Sequence, residues 1–422
     1  MPFTTDPETP RTSGAVAWLA DEDHFWPLLT LLLGAVASLK GLRQPGLWAL
    51  TEALADYNQG FIKRGLLGAI YNALGVARER TLSISFFAEL LLLLVLLAAF
   101  TRRSRLAQRV GTPAVVTLFA GSYVLTYLFH IVGYPDILNA SILLALLLIR
   151  RARTRFLLAL PLVTAGLLIH EAFLLLFAPV LLLSFYLEGL ARPQERRRIW
   201  TLGLLLATLA TAVTATISLR PALSPEQVDA LADSLWNRAD FVLREDFFQV
   251  FMNSLPGNLH MVSRDGWHQY RWWTLQAVSL FILGPALLLL FHFATRLIRQ
   301  HRPATAGTAQ QRWIKLAVLL AVLSPLSLHL IALDQVRWNT WVVVDAYLAL
   351  GLLSMHLPGQ NLRPTPAERN ALILAIALGM ASGYGLFDGA QINPYPFFPK
   401  AMRTLIQHHD HELPGFGPIG SE

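Results

Sequence analysis

Apolar runs close to the length of a membrane crossing recur along almost the whole chain, and arginine-rich loops interrupt every second gap between them. A helix needs roughly 20 apolar residues to cross the hydrocarbon core of a bilayer, with about 17 at the lower end of the range. Runs of this kind lie near 25–40, 82–101, 113–132, 137–149, 156–170, 172–188, 199–218, 274–295, 314–333, 340–357 and 370–387. The expected fold is an all-α integral membrane protein with about eleven transmembrane helices. Hydrophobic residues make up 54% of the chain and charged residues 14%, a balance that the surface of a soluble domain does not tolerate.

Topology follows from where Lys and Arg fall, because short loops rich in them resist translocation. One set of loops holds Arg102, Arg103, Arg105 and Arg109, then Arg150, Arg151, Arg153 and Arg155, then Arg192, Arg196, Arg197 and Arg198. The same side takes Arg296, Arg299, Arg302, Arg312 and Lys315, and later Arg363 and Arg369. Basic loops flank residues 156–188 at both ends, so that stretch must cross twice. This arrangement places a tail of residues 1–24 in the cytoplasm, a transmembrane domain over 25–387 and a tail of 388–422 in the periplasm, in a bacterial inner membrane. The polar, acidic stretch before His24 lacks the basic start of a cleaved signal, so the first apolar run reads as a retained anchor. The formal charge of +7 sits in loop clusters rather than on a separate domain, which argues against nucleic acid as a partner. The chain has no cysteine, which excludes disulfides, thiolate metal sites and thiol catalysis.

The outer side carries two long loops, 41–81 and 219–273, and tight turns at Gly133–Asp136, His170–Glu171 and Asp334–Asn339. In the first loop, Leu47, Leu50, Leu54 and Tyr57 are spaced for one helix face, and Leu66, Leu67, Ile70, Tyr71 and Leu74 for another, with Gly60 and Gly65 between. Two interfacial helices joined by a bend are expected there. In the second loop, Ser224 reads as a helix cap and the helical pattern runs to near Phe251, followed by a loop-like aromatic stretch. Trp267, Tyr270, Trp272 and Trp273 in that stretch fit an aromatic belt at a bilayer surface.

The residue types that carry chemistry also fall on the outer side. Asp56 precedes Lys63 and Arg64 on one loop; a sugar-transfer site needs such a carboxylate as base and such cations for a departing phosphate. Lys63 and Arg64 also have a plain reading as headgroup anchors. His170 and Glu171 tip a very short hairpin, where ionisable groups near the membrane are costly unless they pair or act. Glu171 serves equally as a cap for the following helix. His329, Asp334, Arg337 and Trp338 close another outer turn: Arg337 suits phosphate, Trp338 offers a ring surface for a sugar, and Asp334 with Arg337 also forms an ordinary pair at spacing three. His130, Asp136, Arg264 and His268, with Asp265 and Arg271, add to the same face.

Glu89 and Asp345 fall inside apolar spans, where carboxylates are candidates for ion or proton coupling. The run His408, His409, Asp410, His411, Glu412 has metal-binding residue types in a Pro- and Gly-rich setting that does not enforce a geometry, so no metal ligand is assigned. No cofactor is assigned either, although a divalent cation is compatible with the acidic groups. The chain holds no phosphate-cradling glycine loop with Lys and Ser or Thr, so direct ATP use is not indicated.

Asp56 in the first outer loop, the helices expected in that loop, and Arg337 late in the chain together resemble the polyprenyl-phosphate-dependent glycosyltransferases of the C-type superfamily and the related exopolysaccharide and O-antigen polymerases. That resemblance implies an early outer-loop carboxylate as catalytic base and later arginines as ligands of the lipid phosphate. Where such transferases commonly show paired acidic residues, Asp56 is followed here by Tyr57. The expected function is transfer or polymerisation of sugars from a polyprenyl-(pyro)phosphate donor at the periplasmic face, for cell-envelope or exopolysaccharide assembly. Asp56, His170 and Glu171 are its candidate catalytic residues, and membrane lipids, a polyprenyl-linked sugar or glycan and envelope-assembly proteins are its expected partners. The alternative is a transporter or flippase of lipid-linked or small anionic substrates, with Glu89, Asp345 and His130 coupling ions.

Overall fold

The structure is a computed structural model that describes residues 22–382, apart from 111–112, 221, 269, 302–307, 333, 358 and 360. The two tails, with His408 to Glu412 in the second, lie outside the described residues. Every regular element among the described residues is helical. Six helical stretches are long and apolar enough to cross a membrane: Glu79–Ser104, Ala152–Ile169, Phe173–Ala191, Pro193–Ser218, Trp272–Gln300 and Ala309–Leu330. Phe25–Gly41 and Pro135–Leu147 are shorter apolar helices.

In chain order the first helices are α1 (Glu22–Gly41), α2 (Leu47–Glu52), α3 (Gly65–Ala73) and α4 (Glu79–Ser104). Next come α5 (Leu106–Arg109), α6 (Ala114–Gly121), α7 (Tyr123–His130), α8 (Pro135–Leu147) and α9 (Ala152–Ile169). They are followed by α10 (Phe173–Leu176), α11 (Ala178–Ala191), α12 (Arg196–Ser218), α13 (Pro225–Trp236), α14 (Gln249–Met252) and α15 (Leu255–Met261). The last four are α16 (Tyr270–Gln300), α17 (Thr308–Leu323), α18 (Gln335–His356) and α19 (Pro366–Ala381).

The centre of the bundle is α18. Its residues from Gln335 to Ser354 are buried without interruption, including the polar Arg337, Asn339 and Asp345. It packs most extensively on α16 and also on α11, α17, α4 and α7. Around it, α4 packs on α8, α12 on α9 and α11, and α1 on α6 and α7. The central helix runs from the turn holding Asp334 and Arg337 to an end that meets the arginine-rich loops, and at 22 residues its length is roughly 33 Å.

Three sequence expectations change. Residues 113–132 do not form one span: the helix breaks at Ser122, whose backbone is extended and whose hydroxyl donates to the Phe119 carbonyl at 2.7 Å. The break lies where α19 presses close, with Gly379 placed so that a Cβ would stand 2.7 Å from the Gly121 carbonyl oxygen. The second outer loop does open with a capping box, Ser224 with Gln227, but α13 stops at Trp236 rather than near Phe251. Tertiary bonds take over the chain just beyond: Arg238 turns to Asp56 and Asp240 accepts from the Glu79 backbone at 2.9 Å. The stretch read as loop-like is helical over Leu255–Met261 and π-helical over Val262–Gly266. The two helices expected in the first loop form, as α2 and α3, with Ala49, Leu50, Leu67 and Tyr71 in the core and Ile70 exposed.

Two glycines set how the chain enters the site. Gly133 has φ +90, a left-handed backbone that glycine adopts without strain, and it turns the chain into α8 just before Asp136. Gly68 brings α3 against the preceding loop: a Cβ there would meet the Ala55 carbonyl oxygen at 2.1 Å. Gly68→Ala is expected to destabilise by about 1–3 kcal/mol, the range for overpacking, because the obstacle is backbone rather than a mobile side chain. An unchanged thermal unfolding temperature in detergent would count against this packing.

Candidate functional site

Four separate chain segments meet at one end of α18. Arg337, in its first turn, forks onto Asp136 of α8: Nε donates to Oδ2 at 2.5 Å and Nη2 to Oδ1 at 2.8 Å. Trp341, one turn further along α18, donates from Nε1 to the same Asp136 Oδ2 at 3.0 Å. Asp136 is fully buried. A buried ion pair of this kind has lost its water and depends on its geometry to recover the cost. The Arg337 guanidinium also stacks over Tyr134 at 5.1 Å and Trp338 at 4.7 Å, and lies 3.5 Å from Asp334.

Beside it stands a second, more open fork. Arg64 donates from Nε and Nη2 to Glu171, at 3.0 Å to Oε2 and 2.7 Å to Oε1 respectively, and reaches Glu52 Oε1 at 3.5 Å from Nη1. Arg64 precedes α3 with φ 63, a left-handed conformation uncommon for a residue with a side chain. Strain of about 1–3 kcal/mol at such a position persists only where the surroundings fix it, and here the Glu171 fork fixes it. The Glu171 side chain keeps 25% exposure and that of Asp334 44%, against 0% for Asp136. The face open to solvent is therefore formed by Glu171, Asp334 and the edge of Arg64.

His170 lies between the two forks. Its Nδ1 accepts the Ala172 backbone N–H at 3.1 Å, and its Nε2 faces Arg337 Nη2 at 3.5 Å. In a neutral ring with Nδ1 accepting, Nε2 carries the hydrogen, so the contact with Arg337 sets donor against donor. Burial and the nearby Arg64 guanidinium push its pKa down to about 3. Burial works to raise Glu171, but Arg64, His170 and Lys63 outweigh it and hold the carboxyl below its ordinary range. Glu52 is raised, by burial, against the pull of Arg64. Lys63 is lowered, also by burial, and its Nζ donates to the Asn253 carbonyl at 3.2 Å.

The His170 shift has a consequence for stability. The unfolded chain takes up a proton at His170 near pH 6.5, whereas the folded chain does so only near 3. Between those values unfolding binds a proton, so stability falls as pH is lowered. His170→Gln is expected to flatten the loss of stability between pH 6.5 and 4; thermal unfolding at stepped pH reads it, and an unaltered slope would exclude the effect.

Asp56 belongs to a different cluster. Its Oδ1 accepts from the Asn58 backbone at 3.1 Å; Oδ2 accepts from Asn58 Nδ2 at 2.8 Å, Asn72 Nδ2 at 3.3 Å and Arg238 Nη1 at 2.6 Å. The carboxylate is buried and ties the first outer loop to the end of α13. His329 is in a network of its own, 3.0 Å from Asn339 Oδ1, with Asn339 donating to Gln276 and Ser279. His130 is buried at the end of α7, its carbonyl accepting from Arg43 at 2.6 Å. Trp338 is buried against Arg337 and presents no open ring face. Arg264 and His268 are exposed on the 262–268 segment, and the side chains of Asp265 and Arg271 lie outside those described. Glu89 accepts from the Tyr71 hydroxyl, and both oxygens of Asp345 are buried without a hydrogen bond among the described residues. Among the described residues no group of three or more His, Asp or Glu is placed to hold a metal.

Sequence reading missed Glu52, Arg238 and Trp341. Glu52 carried a signal, as a carboxylate ending an otherwise apolar helix. Arg238 and Trp341 carried none, because each acts on a partner far away in the chain. Compared with known proteins, the chain matches no family model, no curated sequence and no solved structure.

Proposed function

We propose that the chain is a multi-pass membrane glycosyltransferase that uses a sugar or glycan carried on a polyprenyl (pyro)phosphate. In this reading about eleven helical segments cross the bilayer, the Arg64–Glu171 end faces the periplasm, and the arginine-rich end faces the cytoplasm. The observation that carries the proposal is the Arg64–Glu171 fork at the open edge of the cluster, with Lys63 beside it and the closed Arg337–Asp136 pair behind.

Glycosyl transfer needs an ionised base for the acceptor hydroxyl and cations for the leaving phosphate. Glu171 is ionised and half-open, while Arg64 and Lys63 are cationic groups at its side. The acceptor oxygen attacks the anomeric carbon, the bond to the phosphate oxygen breaks, the hydroxyl proton passes to Glu171, and the lipid phosphate departs on Arg64 and Lys63. While Arg64 holds Glu171, the carboxylate is a weak base. A phosphate that takes over Arg64 removes that counter-charge and raises the proton affinity of Glu171 as the donor arrives. Arg337 and Asp136 act as the rigid back of the site, and Asp56 fixes the loop that carries Arg64.

The test is turnover of radiolabelled polyprenyl-linked sugar by the purified protein in lipid. Product formation supports the transferase. A second reading, a transporter, draws on Asp345, buried in the central helix with no hydrogen bond among the described residues. Substrate that moves between leaflets without any transfer product would select that reading.

A further inference from the structure

The arginine-rich end of the bundle holds a second charged cluster that the transfer reaction does not use. Its centre is Glu188 on α11, which pairs with Arg155 of α9; the two side chains are 2% and 3% exposed. Arg192 Nη1 stands 3.1 Å from the other Glu188 oxygen. Arg155 also donates to the Ile149 carbonyl at 3.4 Å and its guanidinium covers the Phe185 ring at 4.5 Å. Its Nε is buried and meets no acceptor among the described residues. Arg150 lies within electrostatic reach of Arg103, which itself acts on Arg155 and on His356 of α18.

The charges do not balance. Among the described residues Glu188 is the carboxylate that acts on Arg103 and Arg155, against Arg150, Arg192 and the two arginines themselves. Helix C-terminal ends contribute partial negative charge of about half a unit each, and Arg103 answers one of them by donating to the Leu148 carbonyl just past α8. What remains is a cationic surplus at Arg150, which is exposed, and Arg192, whose side chain is 46% exposed, beside the buried Arg155–Glu188 pair. Guanidinium forks match the oxygens of a phosphate and bind it by paired, charge-assisted hydrogen bonds. The cluster sits where the apolar stretches Ala152–Ile169 and Phe173–Ala191 end, so a phosphate there is at the level of a bilayer headgroup.

We propose that this end of the bundle binds a phosphate-bearing anion, with Arg150 and Arg192 supplying the open charge and the buried Arg155–Glu188 pair holding Arg192 in place. The site is independent of the transfer reaction. Its occupant is the headgroup of an anionic phospholipid in the adjacent leaflet or a soluble phosphate, and two arms of one experiment separate them. The full-length protein is placed in phosphatidylcholine nanodiscs containing a minor fraction of phosphatidylglycerol, and retained lipid is read by native mass spectrometry after release. In the second arm, thermal unfolding is followed in phosphatidylcholine alone with added inorganic phosphate. The variant is Arg150→Gln with Arg192→Gln, both at open positions, since replacing Arg155 would strand buried Glu188 and risk the fold.

Wild type is expected to retain phosphatidylglycerol over phosphatidylcholine. The double variant should lose that preference by about thirty-fold, from about five-fold per arginine near an anionic surface. Stabilisation by inorganic phosphate that is lost in the double variant, without lipid preference, supports the same site and assigns it to a soluble anion. Neither response in wild type, or both unchanged in the folded double variant, would overturn the proposal.

Discussion

Arg337→Ala is expected to cost the fold about 3–5 kcal/mol, a large share of the roughly 5–15 kcal/mol that holds a typical domain folded. Asp136 stays behind with no solvent exposure and, among the described residues, a single remaining donor in Trp341 and no counter-charge. A surface ligand of phosphate in that turn would be replaceable without harm to the fold; the fork onto Asp136 reverses that expectation. Removing both charges together, as Asp136→Asn with Arg337→Gln, should recover much of the loss, since the penalty lies in the stranded charge rather than in the absence of the pair. Arg337→Lys should fall between, because an ammonium cannot span both carboxylate oxygens. Detergent-solubilised protein followed by thermal unfolding and size-exclusion profile measures all three. An Arg337→Ala protein with a wild-type unfolding temperature would show that the pair is not buried as described.

Glu171→Gln is expected to lower transfer by about 10²–10⁴, the usual contribution of a positioned general base, with a smaller loss of unfolding temperature than Arg337→Ala. Gln keeps the shape and one acceptor for Arg64, which still has Glu52 near, and the lost pair is partly open to water. A forked pair with so little exposure lies between the ~0–1 kcal/mol of exposed pairs and the ~3–5 kcal/mol of buried ones. Asp56→Asn should do the opposite. It strips the charge that holds Arg238 and leaves a buried, many-partnered position half satisfied, so its main effect is on stability while folded protein still turns over. If Asp56→Asn is inactive but fully stable and Glu171→Gln retains activity, the base is Asp56.

Part of the site was legible because turns between apolar runs are short. His170 and Glu171 occupy a hairpin too tight to carry them far from the bundle, and Arg337 and Asp136 each open a helix directly after a turn. A polar residue so placed must stand at the bundle end. What could not be read was which carboxylate meets which cation. Asp56 and Glu171 look alike in sequence as candidates for Arg64; the left-handed turn at Arg64 aims its side chain at Glu171, while Asp56 is taken by Asn58, Asn72 and Arg238. Trp338, which reads as an open ring surface, is enclosed because α18 is surrounded on all sides.

The sequence by itself determined that the described chain is helical and that its helices are long and apolar. Runs of Leu, Val, Ala and Phe leave backbone polar groups with no partner but their own helix when water is excluded. It also determined which residues collect at either end, because charges are expelled from the apolar stretches. Only the tertiary structure decided that α18 is the buried axis, that 113–132 breaks at Ser122, and that two arginine forks stand on either side of a neutral histidine. Those outcomes depend on pairings across more than a hundred residues, Arg64 with Glu171 and Asp136 with Arg337. The composition of a single segment is the same whether or not its distant partner arrives, so local pattern cannot encode them; packing of the helices does.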